Sequence, residues 1–282
     1  MTQAHPHGRH QEHGTDGQAE LLDLDAEILA EHMASITAWL PLTTGPRRIV
    51  DLGCGTGAGT FALLDRFPEA HVTAVDASAG HLQHLREKAC ARSVEERVRT
   101  VLADLDDPAW PDLGSPDLVW ASASMHHMAH PDGALRTVHD ALAPGGLFAV
   151  VELAGHPRFL PECAPEDRPG LEERCHAAAD RLHAERVPHR GADWGPMLTA
   201  AGFTVEGERT VAVNIKGSSS EAIGRYALGI LQRIRTAVAG TLSVEDLTAL
   251  DQLLDTGGPH SILCRDDLAV RTERTVWAAR RT

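Results

Sequence analysis

The apolar run Ile49-Val50 passes through Asp51-Leu52 into three glycines at alternate positions, Gly53-Cys54-Gly55-Thr56-Gly57, and a helix-like stretch follows. Glycine lets the backbone turn tightly and leaves room for a ligand against the main chain. A strand that breaks into such a turn and then a helix presents backbone N–H groups and a helix N-terminus to whatever binds there. Gly53-x-Gly55-x-x-Ala58 satisfies a loose dinucleotide fingerprint, so the glycines alone leave the ligand open. Charge narrows the choice. Asp51, two residues before the first glycine, sets a carboxylate close to the loop, where it repels a pyrophosphate and attracts a cation. Cys54 suits the loop by its small size, and a thiolate beside Asp51 is electrostatically disfavoured.

From Arg48 onward short apolar runs alternate with helical patterns, which predicts an α/β fold with a mainly parallel sheet covered on both faces. The expected strands are Arg48 to Leu52, His71 to Asp76, Val98 to Asp104, Leu118 to Ala123 and Leu147 to Leu153. Between them fall helices over Thr60 to Phe67, Ala79 to Cys90 and Asp132 to Leu142, the last stopped by Pro144-Gly145-Gly146. Ahead of the first strand, apolar residues at three-to-four-residue intervals predict an amphipathic helix from about Gln18 to Leu40. Beyond the fifth strand, a proline-punctuated loop leads to a helix over Leu171 to Arg186, read as a lid, and another follows at Trp194 to Ala201. Helices are also expected over Glu221 to Val238 and, opened by Ser243, over Val244 to Leu254. These patterns divide the chain into a disordered histidine-containing tail (1–17), an N-terminal helical cap (18–46), a ligand-binding core (47–156), a helical lid insertion (157–190) and a C-terminal part of the sheet (191–282) with a two-helix insertion near 219–256.

Asp76 ends the second strand at the position where a nucleotide fold places a ribose-binding carboxylate. Asp104, in Ala103-Asp104-Leu105, ends the third and could accept from an exocyclic adenine amine. Taken singly, each acid could be a helix cap or turn former. With these residues in view the chain resembles the class I S-adenosylmethionine-dependent methyltransferases, and among them bacterial small-molecule enzymes. The resemblance rests on Val50-Asp51-Leu52-Gly53-Cys54-Gly55-Thr56-Gly57, Val75-Asp76, Ala103-Asp104-Leu105, the segment Asp117 to Met128, and Leu142-Ala143-Pro144-Gly145-Gly146. It implies a Rossmann-like, seven-stranded, mostly parallel sheet whose last strand is antiparallel, with Phe203 to Asn214 and Leu268 to Ala279 as the sixth and seventh strands. It also implies S-adenosylmethionine as cofactor, with S-adenosylhomocysteine as product. The cofactor contacts it implies are Asp51, Gly53, Cys54, Gly55, Gly57, Asp76, Ala77, Ala103, Asp104, Leu105, Ala121 and Ser122. The reaction expected is in-line methyl displacement to a small-molecule acceptor at O, N or C, with specialised metabolism as the expected setting.

His126 and His127 follow the fourth strand, near where the family places its acceptor, and are the candidate catalytic residues. A histidine of ordinary pKa, about 6.5, suits a base at neutral pH, while the structural alternative is closure of the strand-to-helix turn. His176 and His183 stand seven apart on a predicted helix and read as surface positions, although they could face a cavity. No grouping of Asp, Glu and His has metal-site spacing, so no metal is expected. Two other readings stay open: an NAD(P)-dependent oxidoreductase that shares the glycine loop, and an S-adenosylmethionine-binding protein without methyl transfer.

Composition bounds the remaining classes. With 40 Asp+Glu against 26 Lys+Arg the net charge is -14, which disfavours a nucleic-acid partner because clustered cations supply most phosphate affinity. No apolar run approaches the roughly 20 residues that span a bilayer, and the polar start, with His5, His7, His10 and His13, lacks the apolar centre of a secretory signal. A cytoplasmic protein without a membrane partner is expected. The five cysteines are odd in number and contain no C-x-x-C pair, which argues against a disulfide framework. A homodimer contact is one use open to the predicted helices that lie outside the core.

Overall fold

The apolar runs become strands in the computed structural model, which describes residues 9–184, 187–217 and 220–282. Five parallel strands come first: β1 (Arg48–Leu52), β2 (His71–Asp76), β3 (Val98–Leu102), β4 (Leu118–Ser122) and β5 (Leu147–Leu153). Two long strands complete the sheet, β6 (Phe203–Lys216) and β7 (Ala269–Arg281), with β7 antiparallel to both β5 and β6. The order is β3-β2-β1-β4-β5-β7-β6. This is the Rossmann-like arrangement that the resemblance implied. The order reverses between β1 and β4, and in such sheets the crevice at that switch point is where ligands bind.

Among the described residues nine helices surround the sheet: α1 (Arg9–Ile28), α2 (Ala30–Trp39), α3 (Ala58–Arg66), α4 (Ala79–Ala91), α5 (Pro131–Ala141), α6 (Leu171–His183), α7 (Trp194–Ala200), α8 (Glu221–Ala237) and α9 (Val244–Leu254). Alternate residues of each central strand serve opposite faces. Ile49, Leu118 and Trp120 pack with Ile36 of α2, Phe61 and Leu63 of α3 and Leu85 of α4. Val50, Val119 and Phe148 pack on the other face with Leu135 of α5 and Trp194 and Leu198 of α7. A further core lies beyond the sheet, where Leu21 and Leu24 of α1 join Phe159, Leu171 and Cys175, Tyr226 and Leu231 of α8, and Leu250 of α9. Buried Asp246 clips α9 to the α6 region by accepting from Arg168 Nε at 2.7 Å and Arg174 Nη2 at 2.8 Å.

The expected elements form, with four corrections. The helix expected from Gln18 to Leu40 is interrupted at Leu29, and it begins at Arg9, so residues 9–17 of the expected tail are helical; residues 1–8 lie outside the described residues. β3 stops at Leu102 rather than Asp104, because its pairing with β2 ends at Asp76↔Leu102 and Asp104 turns back to accept from the Asp106 N–H. The end of β3 therefore stays open for ligand contact. Helix α6 ends at His183 and is not a lid over the sheet, since its apolar face is consumed by the core it shares with α8 and α9. That core makes a simple demand: Phe159→Ala, which empties a fully buried site, is expected to cost about 3–5 kcal/mol of stability. Chemical denaturation of the variant should show the loss.

Candidate active site

The glycine turn after β1 is fixed by what crosses it. Gly53, Gly55 and Gly57 all have positive φ (64°, 53° and 98°). At Gly53 a Cβ would also lie 2.4 Å from Ser124 Cβ, so any larger residue collides with the segment after β4. Ser124 Oγ returns a hydrogen bond to Leu52 O at 2.9 Å, and Cys54 N donates to Val75 O at 3.0 Å. The turn is thus sewn to both neighbouring strands, and a cavity of about 850 Å³ opens in front of it.

The three acids line this cavity in sequence order. Asp51 is buried on the α3 side of β1 and accepts from Thr60 Oγ1 at 2.7 Å. Burial pushes its carboxyl up to about 7 despite the Thr60 bonds, so a cation placed nearby would recover a full carboxylate charge. Asp76 behaves oppositely. Burial opposes its ionisation, but bonds from His81, the Ser78 N–H (2.8 Å) and the Gly55 N–H (2.8 Å) prevail and hold the carboxyl below its ordinary range. Asp104 commits Oδ1 to Asp106 N at 3.0 Å. Ala77, Ala103, Leu105 and Met128 add apolar surface between the acids. Cys54 also lines the cavity, its thiol pushed far up by burial and by the charges of Asp51 and Asp76.

The candidate histidines separate. His126 is buried, and its Nδ1 meets Glu152 Oε2 while Glu152 Oε1 accepts the Met125 N–H at 2.8 Å and the His126 N–H at 3.3 Å. This pair closes the turn and does not line the cavity. His127 does line it. Desolvation, with help from neighbouring His126 and Arg190 and against the pull of Glu152, lowers its pKa to about 4. It is therefore neutral at pH 7 and a weak proton acceptor. Gly57 and Ala121 stand behind the cavity wall, whereas Gly53, Gly55 and Ser122 form part of it. His176 is not on the surface: it is buried, its ring centroid 5.5 Å from that of His156, and neither it nor His183 reaches the cavity.

The roof comes from Leu22 of α1, Met33 and Thr37 of α2, and Leu29 at the break between them. Asp23 of α1 ties it to the glycine turn, accepting from Thr56 Oγ1 at 2.5 Å and pairing with Lys88. Asp25 ties it to the sheet and to α8, accepting from Arg274 Nη2 at 2.6 Å and from Tyr226 Oη at 2.7 Å. Sequence reasoning missed Asp25, Arg274, Tyr226 and Glu152. All four depend on contacts between distant segments, and the sole local trace is a polar residue interrupting the apolar runs of β5 and β7.

A family model described as a methyltransferase domain matches residues 50–148. Trans-aconitate 2-methyltransferase of Methylobacterium nodulans is 34% identical over 186 residues, covering 64% of this chain and 66% of that protein. Malonyl-[acyl-carrier protein] O-methyltransferase of Halorhodospira halophila is 35% identical over 191 residues, covering 67% of this chain and 59% of that one. The chain thus spans 59–66% of these two relatives' length, and other trans-aconitate 2-methyltransferases match over 38–42% of theirs. Among solved structures, geranyl diphosphate C-methyltransferase from Streptomyces coelicolor superimposes with a TM-score of 0.51 at 14% identity, covering 90% of this chain and 76% of that one. The [4+2]-cyclase SpnF gives 0.51 at 20% identity over 89% and 80% of the two chains. The fold by itself therefore names no reaction. Fold, glycine turn and family match agree over the core: residues 50–148 match the methyltransferase-domain family, and the sheet around them has the Rossmann-like order that the resemblance implied.

The raised Asp51 carboxyl has a measurable consequence. The folded protein keeps this proton up to about pH 7, whereas an unfolded chain releases it near pH 4, at a pKa of about 3.9. Stability conferred by the protonated form is therefore present at low pH and is lost as pH rises from about 4 through about 7. Asp51→Asn, which keeps an acceptor for Thr60 and removes the titration, should melt progressively higher than the parent as pH rises from 5 to 8. The widening over that interval corresponds to at most about 3 kcal/mol. A stability difference that is constant across this range in the ligand-free protein would contradict the assignment.

Proposed function

We propose that the chain binds S-adenosylmethionine along this cavity and transfers its methyl group to a small-molecule acceptor held at the end nearest β4, β5 and β7. The observation that carries the reading is that Asp51, Asp76 and Asp104 line one cavity beside a glycine turn of the required shape. The donor set fits the cofactor. Asp76 Oδ2 has a lone pair left beyond the Gly55 N–H for a ribose hydroxyl, and Asp104 Oδ2 is uncommitted and suited to an adenine amine. Ala77, Ala103, Leu105 and Met128 offer an apolar slot for the base. Asp51 favours positive charge and would disfavour the pyrophosphate of a nicotinamide dinucleotide.

Bound there, S-adenosylmethionine would supply a methyl group on a positively charged sulfur, open to in-line displacement. The chain's own task is then positioning and exclusion of water. Correct orientation alone can contribute roughly 7–11 kcal/mol to such a reaction. Leu22, Leu29 and Met33 form the apolar roof that keeps water from the reacting atoms. His127 contacts the acceptor as a neutral hydrogen-bonding group, and His126, locked to Glu152, positions it. A group with a pKa of about 4 removes a proton poorly at pH 7, so this reading favours acceptors that are already nucleophilic. Relatives named for trans-aconitate methylation support a small-molecule acceptor.

Calorimetry with S-adenosylhomocysteine and with NAD tests the cofactor. The first is expected to bind and the second not, and Asp76→Ala should weaken binding at least tenfold, about 1.4 kcal/mol. Transfer of labelled methyl to a panel of acids, phenols and amines tests the reaction; cofactor binding with no label moved to any acceptor would leave a binding protein. For the histidines, His127→Ala should raise KM for the acceptor more than it lowers kcat. His126→Ala should lower the melting temperature, since it strips a buried partner from Glu152.

A further inference from the structure

Arg274 is the one arginine of β7 that is buried, at 6% exposed. It lies opposite Leu153 at the carboxyl end of β5, so its side chain enters the cavity at the end remote from Asp76 and Asp104. An arginine carries five N–H donors. Here Nη2 donates to Asp25, no described residue accepts from Nη1, and Nε is shut off from solvent with no partner at all. A buried donor left unmade costs about 1–3 kcal/mol, more when it carries charge. The neighbouring groups cannot fill the need. Tyr226 spends its hydroxyl proton on Asp25, and Glu152 has both oxygens engaged by His126 and the backbone N–H groups of Met125 and His126. The other cations that line the cavity lie on α3 and at α4: Lys88 pairs with Asp23 and Arg92 with Asp65, and exposed Arg66 lies over the Phe67 ring.

We infer that Arg274 selects the acceptor, docking a carboxylate of a small organic acid on the Nη1 and Nη2 donors that Asp25 leaves free. This rests on the methyl-transfer reading and gives it a substrate class. A planar guanidinium fork matches a carboxylate in geometry and in charge, which gives bidentate pairing its strength. A carboxylic acid is also fully ionised at neutral pH, so it needs none of the proton removal that the neutral His127 and the sequestered His126 are poorly placed to provide. The inference accounts for a cavity with opposite chemistry at its two ends: carboxylates toward the cofactor and a guanidinium toward the acceptor.

The test is binding of a panel of small mono-, di- and tricarboxylates, trans-aconitate among them, to the full chain saturated with S-adenosylhomocysteine. Each acid is compared with its neutral methyl ester, by calorimetry or ligand-observed NMR. At least one acid is expected to bind tenfold or more tightly than its ester. Arg274→Lys, which keeps the charge and loses the fork, should abolish most of that preference while S-adenosylhomocysteine affinity holds. Asp25→Asn, which removes the competing carboxylate and leaves Arg274 in place, should tighten acid binding by about threefold or more. A purely structural ion pair gives the opposite result, since loosening the roof would then weaken every ligand. Acids that bind no better than their esters, or an Arg274→Lys protein with unchanged preference, overturn the inference and leave the cofactor reading standing. Failure of S-adenosylhomocysteine to bind the parent protein would instead sink the methyl-transfer reading itself.

Discussion

Everything in this site depends on the close crossing of two chain segments at the carboxyl ends of β1 and β4. Gly53 passes Ser124 with no space for a side chain, and Ser124 fastens the crossing by its bond to Leu52 O. That contact keeps the switch-point crevice at a fixed width. The Asp76 carboxylate then sets the far side of the turn by accepting the Gly55 N–H. Once these are in place, Asp51, Asp76 and Asp104 have little freedom in where their charges lie, since each sits at or just past the end of a strand held by parallel pairing. A ligand meets a surface already arranged, and organisation completed during folding need not be repeated on binding.

Around that crossing a few carboxylates each hold several partners. Glu152 satisfies two backbone donors and a histidine ring at once, and so holds the turn that carries His127 into the cavity. Asp25 joins α1, α8 and β7 through a single carboxylate. Buried ion pairs of this kind return little net stability after desolvation. Their value here is geometric, because each fixes a segment that has no backbone ladder to a segment that has one. Arg274 differs from the other arginines of the cavity wall, Arg66 and Arg92, in being buried with donors left over.

The strands and the acids at their ends were legible because the signals are local. Apolar runs bounded by glycine or proline gave β1, β2 and β5 at their observed limits, and Asp51, Asp76 and Asp104 stood at strand ends by simple position. The misreadings share a different origin. The end of β3 depends on where its neighbour stops pairing, which no residue of β3 records. Helix α6 carries a good apolar stripe, but a stripe does not say what it faces, and it faces α8 rather than a ligand. His126 and His127 are identical in type and adjacent in sequence, and only Glu152, 26 residues away, separates a structural role from an exposed one. Arg274 reads in sequence as one of four arginines along β7, and its burial appears only when Asp25, 249 residues earlier, folds against it.

Helix α1 belongs to two structures at once. Leu22 and Asp25 face the cavity, while Leu21 and Leu24 are buried with Phe159, Tyr226 and Leu231 in the core beyond the sheet. Closing the roof and completing that core are therefore one event. Any ligand that binds only beneath a closed roof draws its free energy partly from this remote packing, and by linkage it stabilises α8 and α9 in return. The helices inserted between β6 and β7 do not line the cavity, yet through α1 their packing contributes to the free energy with which its roof is held.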